Sequence, residues 1–448
     1  MNKLAILGGK AAVPLSARKV EWPIVTNQDH EAVNRVLESG KFTSMSAGES
    51  EVSNLEKEWA NFVGAQYCVA VSNGTTALHL ALSALDLKPG DEVLVPALSF
   101  IATALAPLYH LLIPVFVDID PITFNISLDD MQRKRSERTK AVIVVHLHGL
   151  PADMNEILIF SQKYNLKVVE DAAQAHGATY DSKNIGTIGD ITTFSLNVSK
   201  NLPTCGEGGL ITTNNYELYE KMLMNRQFGE LVKEGEKREY IHQTMGWNYK
   251  LNSIQAAFTR SQLERFEEEQ EIRNHNIIQF LKSISELPGV IVPQIYSDRT
   301  HVWHILRIRF DSQLAGLFEL KNGQFREVIK KVLAAEGVPL SEYQKIPLQG
   351  HQVFQYKKGY GDEYPWKISN QTYDYQIEDT PNTLDVIENT LTLQKMHLNP
   401  NSDLLLKNYA DAFYKLFEYL NIVESIGKNI EAFPPWTAFS QHEIKGVF

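Results

Sequence analysis

The chain has 448 residues, 44% of them hydrophobic and 22% charged, a length and balance that suit two domains with a sizeable core and make wholesale disorder the wrong starting point. Its formal net charge of −11 argues against a nucleic-acid partner, since binding a phosphate backbone needs clustered Lys and Arg. Two cysteines, Cys68 and Cys205, are too few to staple such a protein and fit a reducing, cytoplasmic compartment, and no run reaches the roughly 18 apolar residues of a membrane helix.

Residues 1–50 read as an N-terminal segment, in which the apolar patch within Met1–Pro14 is too brief for a signal sequence. Residues 51–265 read as a large α/β domain. Its predicted strands are Tyr67–Val71, Glu92–Pro96, Pro114–Val117, Lys140–Leu147, Leu166–Glu170, Ile191–Leu196 and Gly209–Thr213, with helical spacing in Ala77–Ala84, Ser99–Tyr109 and Asn155–Tyr164. Near-continuous apolar runs such as Ala141–Val145 predict burial on both faces, hence a mostly parallel sheet flanked by helices. Beyond Asn252 one long helix is expected to Ile284, with Ile254, Ala257, Phe258, Leu263 and Phe266 as its buried stripe and the acidic run Glu264–Glu271 as a solvated face. Residues 266–448 then comprise this connecting helix and a smaller α+β domain, built from strand-like Val302–Phe310 and helical Phe325–Glu336 and Leu404–Tyr419. The polar, aromatic and aperiodic Gln355–Asp385 reads as a long ordered loop or insertion.

Four features fall at the ends of predicted strands, where open α/β sheets place their sites. Ser72-Asn73-Gly74-Thr75-Thr76 opens a helix and could hold an anion on backbone N–H groups, although alone it reads rather as a simple cap and turn. Asp171 ends an apolar strand, where its carboxylate could pair with a ring-nitrogen cation and Gln174 could reach a phenolate oxygen, or Asp171 could merely cap the next helix. Lys200 follows Phe194–Ser199 and precedes a Gly-rich turn, a place for a desolvated, Schiff-base-forming amine, although most lysines are solvated surface charges. Phe100 could stack on a flat cofactor or simply fill core. His146 and His148, two apart in a strand-like run, are expected to share a face but have no third ligand, so no metal site is expected, and His176 reads as structural. No G-x-G-x-x-G follows an early strand, which removes a nicotinamide-dinucleotide reading.

In chain order, Gly74-Thr75, Phe100, Glu170-Asp171-Ala172-Ala173-Gln174, Ser195-Leu196-Asn197-Val198-Ser199-Lys200-Asn201 and Gly206-Glu207-Gly208-Gly209 together resemble the DegT/DnrJ/StrS family of sugar aminotransferases. Gly90–Val93, Pro114–Asp120, Trp247–Lys250 and Ile254–Ala257 extend the likeness, which covers roughly residues 20–350. The resemblance implies a fold type I enzyme dependent on pyridoxal 5'-phosphate. In it Lys200 matches the Schiff-base lysine, Asp171 the partner of the pyridinium nitrogen, Phe100 the ring-stacking position and Gln174 the partner of O3′. Gly74, Thr75 and Ser195 match phosphate contacts, and Asn248 matches an asparagine that reaches the phosphate across a homodimer interface. It further implies glutamate or glutamine as amino donor and a keto-sugar or keto-cyclitol as acceptor.

Three positions depart from the commonest pattern: Asn197, Phe228 and Lys250. They bear on substrate identity rather than on the cofactor. A related 3-dehydratase branch carries His where this chain has Lys200, which favours transamination; a dehydratase or other lyase on the same scaffold, or a non-catalytic homologue, are the alternatives. Leu4–Gly9 and Thr204–Gly209 lie nearer the cyclitol and aminobenzoate branch than the nucleotide-sugar branch, and Arg226–His242 and Ser341–Phe354 are expected to shape the substrate pocket.

Overall fold

The structure, a computed structural model, describes residues 3–437 apart from 47, 233–237 and 370. Chain order gives β1 (Tyr67–Val71), β2 (Glu92–Pro96), β3 (Ile113–Val117), β4 (Thr139–Val145), β5 (Lys167–Asp171), a short hairpin of β6 (Thr179–Tyr180) and β7 (Lys183–Asn184), then β8 (Ile191–Ser195) and β9 (Gly209–Thr213). Seven of these form one sheet in the order β1-β9-β8-β5-β4-β2-β3, and every predicted strand of the large domain is present to within two residues at each end. Only β9 runs antiparallel to its neighbours, so β1 and β8, on either side of it, point the same way as the parallel remainder.

Side chains alternate across a strand, and here both faces are covered. In β4, Ala141 and Ile143 pack into the layer that holds the helices Gly74–Ser83 and Ala102–Tyr109, whereas Val142 and Val144 pack into the layer of Glu51–Val63 and Met154–Tyr164. This is why the strand reads as an unbroken apolar run.

The single helix expected beyond Asn252 is instead two, Ser253–Leu263 and Phe266–Ile284. Arg265 leaves helical geometry at φ −113° and ψ 3°, and its guanidinium donates to the Asp29 carboxylate at 2.8 Å and the Ile24 carbonyl at 2.9 Å. Tying down the N-terminal segment in this way overrides local helix propensity. The acidic face behaves as expected at Glu264, Glu267, Glu268 and Glu271, which are exposed, while the half-buried Glu269 accepts from Arg265.

A second, antiparallel sheet of β10 (Val290–Ile291), β11 (Leu306–Phe310) and β12 (Thr390–Leu393) carries the helices Phe266–Ile284, Asn322–Glu336 and Asp403–Phe417. The strand expected from Val302 starts only at Leu306. Trp303 sits at φ +51°, and the preceding backbone bonds to the other domain through Val302 N–H to the Gly149 carbonyl and His304 N–H to the His148 carbonyl.

Packing crosses the boundaries expected at residues 50 and 265. Leu4 and Val13 lie in the core of the small sheet, where the buried Glu336 carboxylate accepts from Ala5 N–H at 2.7 Å, Ala12 N–H at 2.8 Å and the Lys415 amine at 2.8 Å. Within the long aperiodic stretch, Trp366 is buried in the core of the large sheet and donates to the Tyr375 hydroxyl, which itself donates to the Pro114 carbonyl at 2.8 Å. The helix Pro381–Asn389 then caps Asp118 with the N–H groups of Asn382 and Thr383, both at 2.9 Å.

Candidate active site

Because β1, β2, β4, β5 and β8 run in one direction, their C-terminal ends share an edge, and a cavity of about 1000 Å³ opens there. Gly74, Thr75, Phe100, Asp171, Gln174, Ser195 and Lys200 all line it. Asn248 does not: it is exposed, and its Oδ1 accepts from the Lys250 amine at 2.6 Å, which in turn lies 4.8 Å from the Phe228 ring centre.

One end of the cavity is built for an anion. Asn73 caps the helix Gly74–Ser83 by accepting from Thr76 N–H at 2.8 Å, and the Thr76 hydroxyl accepts from Asn73 N–H at 3.1 Å. The Gly74 and Thr75 N–H groups are left without partners among the described residues, at the positive end of the helix. Register brings Val71 of β1 and Ser195 of β8 to the same partner, Gly209 of β9. The approach is close enough that a Cβ on Gly74 would lie 2.6 Å from Ser195 Cβ, and one on Gly209 would lie 2.5 Å from the Asn73 carbonyl oxygen. Glycine at both positions is therefore a packing requirement.

Asp171 ends β5, 6% exposed. Burial pushes its carboxyl above the usual range, opposed by the hydroxyl of Thr103, which donates to Oδ2 at 2.8 Å, by Ala173 N–H at 3.2 Å and by the field of Lys200. Lys200 leaves a turn closed by Asn197, whose carbonyl accepts Lys200 N–H and whose side chain accepts Ser199 N–H at 2.9 Å and donates to Glu207 at 2.6 Å. Burial pushes the Lys200 amine below the lysine range, against the opposing pull of Asp171 and Glu207. A carboxylate short of a cation and an amine inclined to lose its proton thus share one cavity.

Gln174 is oriented from behind: its Oε1 accepts His148 N–H at 2.7 Å, leaving the side-chain NH₂ as the free donor. The Phe100 ring is 58% exposed, an unusual state for a phenylalanine beside a deep cavity and a surface for a flat ligand. His146 and His148 do not share a strand face. β4 ends at Val145, His148 adopts φ +59°, His146 Nε2 pairs with Glu170 Oε2 at 3.0 Å, and His148 Nε2 accepts from Arg307 at 2.9 Å. Among the described residues no group of three or more His, Cys, Asp or Glu is placed to hold a metal. His176, read from the sequence as structural, is fully buried and packs against the rings of Trp59 and Phe194.

Several lining residues escape sequence reasoning. Ser99, just before the helix Ala102–Tyr109, shares a hydrogen bond at 2.8 Å with Thr103 in its first turn, and the Thr103 hydroxyl donates to Asp171 at 2.8 Å; Thr103, which stands behind the cavity lining, is the member that sequence reasoning missed. Trp22, His304, Tyr343 and Lys395 close the opposite wall from four distant stretches of chain, with no local pattern to mark them. Of the two segments expected to shape the pocket, Ser341–Phe354 supplies Tyr343, residues 226–232 and 238–242 do not line the cavity, and 233–237 lie outside the described residues.

A raised carboxyl, a lowered amine, a helix N-terminus with two N–H groups facing the cavity edge and an exposed aromatic ring fit a small planar cofactor with one phosphate and one basic ring nitrogen. Fold and cavity together define a fold type I enzyme dependent on pyridoxal phosphate. The chain belongs to the DegT/DnrJ/EryC1/StrS aminotransferase family, whose sequence model matches residues 23–382. It is 38% identical over 299 residues to a dTDP-3-amino-3,6-dideoxy-alpha-D-galactopyranose transaminase of Aneurinibacillus thermoaerophilus, an alignment covering 67% of this chain and 79% of that one. Its fold is similar to 3-amino-5-hydroxybenzoic acid (AHBA) synthase, with a TM-score of 0.76 and 26% identity over 89% of this chain and 99% of the other. It is similar also to NtdA from Bacillus subtilis with bound cofactor PMP, with a TM-score of 0.72 and 28% identity over 90% of this chain and 84% of the other.

Proposed function

We propose that this aminotransferase moves an amino group from glutamate or glutamine to a keto-sugar or keto-cyclitol, with Lys200 and Asp171 as its catalytic residues. The observation that carries the assignment of Lys200 is an amine held below its ordinary range in the same cavity as a buried carboxylate held above its own. The resemblance to a dTDP-sugar transaminase and to AHBA synthase supports a sugar or cyclitol acceptor.

When bound, pyridoxal phosphate supplies the electron sink and carries the amino group between the two substrates. The N–H groups of Gly74 and Thr75 and the hydroxyls of Thr75 and Ser195 would hold its phosphate. Phe100 would cover its ring, the side-chain NH₂ of Gln174 would be the donor for its phenolate oxygen, and Asp171, braced by Thr103, would hold its ring nitrogen in the protonated form. Lys200, whose amine burial holds below the lysine range, would take the proton from the donor's α carbon on Nζ and return it during the same turnover. Two substrates using one site in alternation give ping-pong kinetics. Asn248, exposed and outside the cavity of its own chain, serves the phosphate site of a second copy in a homodimer. No helix among the described residues is long and apolar enough to cross a membrane, and free Cys68 and Cys205 support a cytoplasmic home.

Absorbance of the purified protein, wild type and Lys200→Ala, with and without glutamate or glutamine, tests this reading. Borohydride should fix a cofactor-sized mass on the Lys200 peptide of the wild type only, and donor should bleach the lysine-bound cofactor band. A wild type that takes up no cofactor at Lys200 refutes the assignment.

A further inference from the structure

Directly after β12, Lys395 turns back into the cavity wall. It is 3% exposed, and its amine has no hydrogen-bond partner. Nζ lies over the face of Trp22, 3.8 Å from the ring centre, a cation–π contact that supplies no hydrogen-bond acceptor. The indole Nε1 of Trp22 is likewise out of solvent and unpaired. Two buried donors therefore adjoin on one wall of the cavity that holds Lys200, and neither has an acceptor. A buried, unpartnered amine is costly to a fold and persists where it has a use.

The surroundings lack a compensating anion. Glu269 lies within the field of Lys395, but its carboxylate is engaged by Arg265 at 2.9 Å. Arg273, buried nearby, donates only to the neutral oxygens of Gln270 and Val302. His304, on the same wall, is held neutral by burial and by the positive fields of both Lys200 and Lys395, which places the two amines around one space. Burial and the field of Arg273 hold the Lys395 amine well below the ordinary lysine range, so a bound anion is what would favour its charged form.

We propose that Lys395, with Trp22 beside it, docks the carboxylate of the amino donor. The inference rests on the aminotransferase reading above. The cofactor's phosphate has its own cradle at the helix Gly74–Ser83, on another part of the cavity. A keto-sugar or keto-cyclitol has no carboxylate on its reacting carbon, whereas an amino acid carries one on the carbon whose proton Lys200 removes. The pairing would act in the donor half of the cycle alone. The other source of an anionic oxygen group is a phosphate on the acceptor, which the test separates.

The holoenzyme is mixed with glutamate or glutamine, or with the α-amide of each, and conversion of the cofactor is followed by rapid-mixing absorbance in wild type, Lys395→Met, Lys395→Arg and Trp22→Phe. A lost hydrogen bond to a charged partner corresponds to roughly 10- to 100-fold in affinity. Lys395→Met should raise half-saturation by the amino acid by about that factor, leave the limiting rate little changed, and leave the α-amide unaffected. Arginine should recover most of the loss, and Trp22→Phe, which keeps the ring and removes Nε1, should show a smaller rise. Removing an unpaired buried amine should leave the melting temperature of Lys395→Met equal to or above that of the wild type, an outcome a merely structural lysine would not give. Equal losses for amino acid and α-amide would overturn the proposal. So would an unchanged donor response combined with weaker competition by inorganic phosphate, which would assign the site to a phosphorylated acceptor. A wild type that converts neither donor would overturn the donor assignment itself, and is distinguished because it appears before any variant is compared.

Discussion

Thr103→Val probes the electrostatic centre of the site without touching its two ionisable members. The Thr103 hydroxyl donates to Asp171 Oδ2 at 2.8 Å and shares a second 2.8 Å hydrogen bond with Ser99; all three residues are buried. Valine keeps the shape of threonine on the helix and removes only the donor. A hydrogen bond to a charged acceptor contributes about 1.5–3 kcal/mol, so its loss should push the Asp171 carboxyl, already above its ordinary range from burial, further up. A carboxyl with a raised pKa stays protonated to higher pH and cannot hold a ring nitrogen in its cationic form. The donor half-reaction, followed by rapid-mixing absorbance, should therefore slow roughly 10- to 100-fold near neutrality, and the acid limb of its pH profile should move upward. Thr103→Ser, which restores the hydroxyl, should recover most of the rate. A valine variant within twofold of wild type, with an unmoved acid limb, would refute the role given to this hydroxyl.

Three further outcomes follow from separate parts of the structure. Gly74→Ala sets a methyl group 2.6 Å from Ser195 Cβ, so overpacking should cost about 1–3 kcal/mol and weaken cofactor binding in equilibrium dialysis; wild-type affinity would contradict the close approach of the helix to β8. Trp366→Ala should lower unfolding free energy by about 3–5 kcal/mol in urea titration while leaving the donor half-reaction intact, because Trp366 packs into the large-sheet core and does not line the cavity; a loss under about 1 kcal/mol would mean that the segment merely rests on the surface. His148, His176 and His304 are buried and held below the ordinary histidine range by burial, His176 to about 3. The unfolded chain binds protons that the folded chain refuses, so stability is full above pH ~6.5 and falls as pH drops below it, by about 2 kcal/mol for His176 at pH 5; urea midpoints of the apoprotein that do not fall between pH 7.5 and 5 would contradict this.

The large domain was legible because its rules are local. A strand buried on both faces reads as an apolar run, as Ala141–Val145 does, and a parallel sheet sends the chain back through helices whose spacing is equally visible. The gathering of Gly74, Phe100, Asp171 and Lys200 in one cavity was legible for the same reason, since strands pointing one way deliver them to one edge whatever lies between them. What failed were features set by contacts distant in sequence. The break at Arg265 depends on Asp29 and Ile24, some 240 residues earlier in the chain. The late start of β11 depends on Gly149 and His148, and the placement of Trp366 against the large sheet depends on Tyr375 and Pro114. His148 failed for a local reason that only geometry shows: positive φ takes it off the strand face where a two-residue spacing would have put it.

The same division separates what this enzyme shares from what it can vary. Lys200, Asp171 and the cradle at Gly74 are fixed by one sheet and by contacts as tight as the Gly74–Ser195 approach, so substitution there disturbs the fold and the chemistry together. The facing wall is assembled from Trp22, His304, Tyr343 and Lys395, held by the N-terminal segment, the approach to β11, the loop after the helix Asn322–Glu336 and the turn after β12. None of these shares a strand with Lys200 or Asp171, so each can change with little consequence for the proton chemistry. Selection between substrates then falls to groups that meet only in the folded chain, and their charge is unbalanced: Lys395 is unpaired where Asp171 and Lys200 partly balance each other. Burial and the field of Arg273 hold the Lys395 amine well below the lysine range, so an anion beside it is what favours its charged form; anionic molecules should therefore bind in preference to neutral ones of the same size, also in variants that have lost Lys200 and can bind but not react.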